Sequence, residues 1–190
     1  MVQRVATNKG FTLIELLLVI GILGIMASIG IASFISTISK GKDSQRKNDI
    51  ATLAKALDVY KSDWGEYPDV GTGNSIKGCM TFSGDALSDC ASPITKFQYY
   101  RSGEAILLIN KIPTDPAADR IYRYEYDPNF PDSFAIYAAL ENTSDRDVKK
   151  LANGDPDILN GWGPTKLCGS GGTALPLCNY KFTESGVVTQ

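Results

Sequence analysis

Residues 16–39 form a run of 24 residues without a single charge, and nothing else in the chain constrains it as strongly. At about 1.5 Å of rise per residue, a helix of that length spans roughly 36 Å, enough to cross a hydrocarbon core of about 30 Å. The run follows directly on Gly10-Phe11-Thr12-Leu13-Ile14-Glu15, so a carboxylate stands at its mouth. Beside hydrocarbon a carboxylate costs about 2.5–3.5 kcal/mol at the centre of a span and less toward its ends, unless a partner offsets it. Glu15 is therefore expected to have a designated partner. A secretory signal would carry a shorter apolar stretch, about 7–15 residues, with its small-residue cleavage site after it. Here the run is longer and the glycine comes first. An ordinary anchor explains the length and leaves Glu15 without a purpose.

The segment Gly10-Phe11-Thr12-Leu13-Ile14-Glu15-Leu16 resembles the processing site of type IV prepilins and of the related pseudopilins of type II secretion and competence systems. The resemblance implies that a membrane-embedded prepilin peptidase removes residues 1–10 by cutting after Gly10, and that the exposed Phe11 is N-methylated. It also implies that Glu15 pairs with the terminal amine of Phe11 from a neighbouring subunit. The partner would be another copy of the chain. On this reading residues 11–39 are the transmembrane and assembly half of a helix, and residues 40–190 are an exported globular head that includes the helix's amphipathic half. The precursor is expected in the lipid of the cytoplasmic membrane as a single-pass protein with its head outside. A pilus assembly platform would then draw it into a periplasmic or extracellular filament. Many members carry a helix-breaking proline in the second half of the span, where this chain reads Gly30-Ile31-Ala32-Ser33.

Composition bounds the remainder. The 190 residues leave room for one soluble domain beyond the helix. There are 19 basic and 21 acidic residues, and removing Arg4 and Lys9 with the leader shifts the balance further to acid, which disfavours a broad nucleic-acid surface. There is no histidine, and neither a nucleophile elbow nor a zinc-protease or phosphate-loop motif occurs, so catalysis has no visible support. The four cysteines lack zinc-type spacing. In an exported chain an even number reads as disulfides. Three connectivities are possible, and the sequential one, Cys79–Cys90 with Cys168–Cys178, is expected because each bond would staple a short Gly-, Ser- and Pro-rich loop. A bare count of Lys and Arg around the span favours the opposite orientation; the cysteines and the processing motif outweigh it.

Past the charge-free run, Ile50, Leu53, Ala54, Leu57, Tyr60 and Trp64 recur at helical spacing with charges between them, and Gly65 and Pro68 supply stop signals. Residues 69–104 are glycine-rich and read mostly as loop. Residues 105–112 are apolar and fit either a short helix or a strand. Ile112-Pro113-Thr114-Asp115-Pro116 forces a turn. Residues 121–126 and 133–140 alternate as an antiparallel strand pair, with Phe134, Ile136, Ala138 and Leu140 on one face, and residues 180–183 offer a third strand. The expected fold is α+β: a long N-terminal helix, membrane-spanning then amphipathic, packed on a small antiparallel β-meander.

Two polar clusters stand out. Asp145, Asp147, Asp155 and Asp157 lie on one loop at a spacing that can supply calcium with oxygen ligands. Major pseudopilins, which the head resembles loosely, use calcium to order a loop in this region, although the twelve-residue EF-hand pattern is absent. No other cofactor is suggested. The basic cluster of Lys40, Lys42, Arg46 and Lys47 invites DNA capture, but lies where it would face lipid headgroups or acidic neighbours in a filament. The function expected is that of a structural subunit of a type IV pilus or related filament. The alternatives are a type II secretion or competence pseudopilin, or a minor tip subunit for DNA or surface adhesion.

Overall fold

The computed structural model describes residues 10–70, 77–80, 87–89, 96–127, 129–157, 161–162, 167–169 and 176–189; within these, the side chains of 29–33, 77–80, 87–89 and 100 are outside the description. The chain divides into two compact units, Met1–Ser39 and Lys40–Gln190. One helix, α1 (Leu13–Trp64), passes through both, and it continues as helix across Gly30-Ile31-Ala32-Ser33. Its end is set by Gly65, whose positive φ of 86° suits glycine at a helix C-terminus and whose amide donates to the Lys61 carbonyl at 2.7 Å.

In the first unit the described large apolar side chains of α1 are exposed, from Leu13 at 81% through Ile25 and Met26 to Ile38 at 44%. Among the described residues no helix is long and apolar enough to cross a membrane. The charge-free run includes residues 29–33, whose side chains lie outside the description.

The second unit is built around the expected amphipathic stripe. Ile50, Leu53, Ala54, Leu57 and Tyr60 are all buried, as spacings of three and four residues on one helix face require. They form one core with Phe97, Tyr99, Ile109, Tyr124, Phe134, Ile136, Ala138 and Tyr180. Burying each large apolar side chain of this set stabilises the head by about 1.5–3 kcal/mol. Trp64, the last member of the stripe, is half-exposed and stacks on Tyr60, with Tyr99 edge-on to both rings.

Two four-stranded sheets supply the other side of that core. β1 (Lys77–Met80), β2 (Leu87–Asp89), β3 (Phe97–Arg101) and β4 (Glu104–Ile109) form a sheet in the order β2-β1-β3-β4, with β1 and β3 parallel and the other pairs antiparallel. This corrects the expectation of loop over residues 69–104: three short strands lie there, held by backbone pairing that glycine content does not prevent. It also resolves residues 105–112, whose apolar part is strand. β3 and β4 meet at Ser102 and Gly103, with φ of 55° and 87°, the two positive values a type I′ hairpin turn needs.

β5 (Arg123–Tyr126), β6 (Phe134–Ala138), β7 (Tyr180–Thr183) and β8 (Gly186–Val188) form the expected antiparallel meander with one strand more than the three anticipated. The alternation in β6 reads as anticipated. Phe134, Ile136, Ala138 and Leu140 join the main core, whereas Tyr137 and Ala139 pack on Cys168, Cys178 and Trp162. Both faces of β6 are thus covered, one by the helix stripe and the other by the disulfide loop.

Candidate functional site

The segment where processing is expected has a defined geometry at its helical start. Thr12 precedes α1, and its backbone N–H and its hydroxyl both donate to Glu15 Oε2, at 2.9 and 2.7 Å. The Glu15 amide donates back to Thr12 Oγ1 at 3.3 Å. This is a capping box, in which a threonine and the glutamate three residues later satisfy each other's orphan N–H groups. The arrangement also sets a negative charge at the positive end of the helix dipole. Phe11 is 87% exposed beside it, and Gly10 has open space around its Cα. The carboxylate is therefore held in one orientation by its own chain. The Thr12-x-x-Glu15 spacing carries the signal for this cap in the sequence itself.

The second polar feature lies wholly within the head. Arg46, fully buried, makes a two-pronged contact with Asp115, from Nε to Oδ2 at 2.8 Å and from Nη2 to Oδ1 at 2.9 Å. Its Nη1 donates to Asp43 Oδ1 at 2.7 Å, and Nη2 reaches Glu141 Oε1 at 3.0 Å. The carboxylates are themselves held: Asp43 accepts the amides of Glu141 and Asn142, and Asp115 accepts that of Ala117. Burial opposes the charge on Arg46, but its bonds to Asp115, Glu141 and Asp43 outweigh that and hold its pKa above the ordinary value. The proline-flanked turn thus has a specific product, a buried acid placed against the helix.

One residue on, the Lys47 ammonium donates to Asp145 Oδ1 at 2.6 Å and to Asp147 Oδ2 at 2.7 Å, with the Tyr180 ring 6.0 Å away. Lys42 approaches Glu141 at 3.5 Å. The basic cluster expected to face headgroups, neighbours or DNA is in large part turned onto the head's own carboxylates, with Lys40 exposed. Pairing across 69 to 100 residues of sequence cannot be seen in a local charge count.

The four aspartates singled out for calcium are distributed among other partners. Asp145 and Asp147 hold Lys47, Asp157 is buried at 3.2 Å from Lys149 Nζ, and Asp155 accepts from Asn153 Nδ2 at 2.8 Å. Among the described residues no three acidic or other metal-binding side chains gather into a group able to hold a metal.

Tyr122 and Tyr124, two residues apart at β5, pack on the core and keep their hydroxyls bonded. Tyr124 is buried and donates to the Pro68 carbonyl at 2.7 Å, and Tyr122 donates to Asp49 at 2.8 Å. Tyr67 and Tyr99 likewise donate to Asp58 and Asp63, so acids along the helix take the hydroxyls of the rings packed on it.

Cys168 and Cys178 are joined as a disulfide, both buried, with their Cα atoms 5.1 Å apart. The Cys168 carbonyl accepts from Ile121, and the Cys178 carbonyl from Trp162. Gly161, at φ +50°, packs so closely that a Cβ there would run into the Cys178 carbonyl oxygen. The pairing of Cys79 with Cys90 lies outside the described residues.

Residues 6–31 match the family model described as the prokaryotic N-terminal methylation motif. The chain is 34% identical over 109 residues to the type II secretion system core protein G of Aeromonas hydrophila, a match covering 57% of this chain and 67% of that protein. To the protein of the same name from Escherichia coli K12 it is 28% identical over 164 residues, covering 85% of this chain and 97% of the relative. It is also 40% identical over 62 residues to the type IV major pilin protein PilA of Myxococcus xanthus, covering 33% of this chain and 28% of that one. The match to core protein G of Pectobacterium carotovorum subsp. carotovorum is 38% identical over 74 residues and spans 46% of that protein's length. No solved structure matches.

Proposed function

The chain belongs to the family of the type II secretion system core protein G, and on that premise we propose that it is the repeating subunit of a secretion pseudopilus. The family is structural and not enzymatic, and its members are processed by a prepilin peptidase and assemble into filaments of like subunits. The observation that best supports the reading is the exposed apolar surface of α1 in residues 13–28 and 34–38, opened by a single oriented carboxylate. An apolar surface of that extent needs lipid or other helices around it. Lipid serves the precursor and neighbouring helices serve the filament.

The mechanism follows from the start of the helix. Cleavage after Gly10 frees the amine of Phe11 and leaves Glu15 four residues on, already held by Thr12. As a subunit leaves the membrane, its carboxylate loses solvation and meets the positive amine of Phe11 on a neighbour. That charge-assisted contact is strengthened by the low local dielectric. An assembly platform supplies the force for extraction, and the head takes no part in the chemistry. A type IV pilus remains the second reading because of the similarity to the Myxococcus pilin.

N-terminal sequencing and intact mass of the membrane-extracted protein test the premise of this mechanism. The mature chain is expected to begin at methylated Phe11. A chain that retains Met1 in cells with an active prepilin peptidase would overturn it.

A further inference from the structure

We propose that Lys47 is the resident cation of the loop at residues 141–157, so that this head closes its acidic loop without the divalent ion its relatives' resemblance implies. The fit of calcium fails on the donor set. Calcium takes 6–8 oxygens at about 2.3–2.6 Å. Two carboxylates of the loop, Asp145 and Asp147, already converge on the Lys47 ammonium at 2.6 and 2.7 Å. Asp145 Oδ1 also accepts the Asp147 amide at 2.9 Å, which fixes the pair's geometry around a donor. The other two aspartates are committed elsewhere, Asp157 to Lys149 and Asp155 to Asn153.

Several features suit an ammonium in this place. The Tyr180 ring faces it at 6.0 Å, a contact that favours a cation on an aromatic face. Burial opposes the charge of Lys47, and the bonds to Asp145 and Asp147 outweigh it, raising its pKa. For Asp145, burial acts upward, and the Lys47 bond with the Asp147 amide overcomes it, lowering its pKa. Each charge supports the other. Next to it, Arg46 ties Glu141 and Asp43 ties the amides of Glu141 and Asn142, so helix residues at i, i+3 and i+4 secure the same loop. A cation carried on α1 does what a bound ion would do, and it arrives with the fold.

The proposal concerns the head of a single subunit and does not depend on the filament reading. The test uses the full-length chain in detergent, with millimolar calcium chloride or EDTA as the probe. Wild-type protein is expected to show the same Tm and the same hydrogen exchange across residues 141–157 in both. Lys47→Met is expected to lose protection selectively in that loop, and Lys47→Arg to restore much of it. A calcium-dependent rise in the wild-type Tm, or wild-type protection in Lys47→Met, would overturn the proposal. If Lys47→Met does not fold while Lys47→Arg does, the requirement for a cation is met in its strongest form. If neither folds, the wild-type calcium comparison decides.

Discussion

In the first half of α1, Leu13, Ile14, Ile25, Met26 and Phe34 are 65–81% exposed, whereas in the second half Ile50, Leu53, Leu57 and Tyr60 are 0–3% exposed. Both stretches are helical and both are rich in apolar residues. The difference lies in what separates those residues. Between residues 16 and 39 no charge interrupts them, so the helix has no polar face to give to water and no single face to give to a core. From Asp43 onward, charges fall between the apolar positions, and one stripe can be buried while the other side is solvated or paired. Apolar content makes a surface; periodicity decides whether the chain's own sheets can cover it.

The polar groups divide the same way. Among the described residues Glu15 is engaged with Thr12, three positions before it, whereas Arg46 and Lys47 gather acids from residues far along the chain. The first half of the helix is thus left without a cover from its own chain, as contacts between molecules require, and the second is covered within one molecule. Substitutions in the two halves should separate stability from assembly.

The largest effect on stability is expected at Arg46. Arg46→Met removes the cation from a fully buried site and leaves Asp43, Asp115 and Glu141 turned toward one another, a loss of about 3–5 kcal/mol by the behaviour of broken buried pairs. Urea unfolding of the full chain measures it. A change below about 1 kcal/mol, the level of a surface ion pair, would erase the contrast between the two halves.

A smaller effect is expected from pH, and only in the head. Tyr60 is pushed up to about 12 by burial and by Glu66, and Tyr180 to about 12 by burial and by Asp147 and Asp145. Lys47 is raised as well. Groups whose pKa is raised by folding stabilise the native state below their unfolded values, here 10.0 for tyrosine and 10.5 for lysine, and that contribution is lost as pH rises through the folded values. Asp145 acts at the other end: its pKa is lowered, so its contribution is present above 3.8 and lost as pH falls through the lower folded value. The head should hold its stability across the neutral range and lose it above about pH 10. Tyrosinate absorbance should show Tyr60 and Tyr180 ionising late, together with unfolding. Ionisation of all nine tyrosines near pH 10 with the fold intact would contradict the burial that defines the second half.

Much of the fold was legible because it rests on local pattern. The stripe from Ile50 to Tyr60 and the alternation through Phe134, Ile136 and Ala138 each follow from one element's period. The turn containing Asp115 was legible as a turn, but its purpose was not, because that lies in a guanidinium 69 residues away. β1 and β2, four and three residues long, carry no alternation to detect, and the parallel contact of β1 with β3 is a tertiary fact. Lys47 was visible only as one of several like charges. Which acids it meets depends on where a long loop returns to the helix.

The smallest effect on the head, and the most direct test, belongs to Glu15. Glu15→Val removes the carboxylate while leaving every buried contact of residues 40–190 in place, so the melting temperature of the head should equal that of the wild type. Filament yield should not survive the change. In a strain with no wild-type copy, with quantification of sheared filaments beside total protein, the account predicts a stable, cleaved subunit that stays unassembled. Wild-type filament yield from Glu15→Val would contradict it.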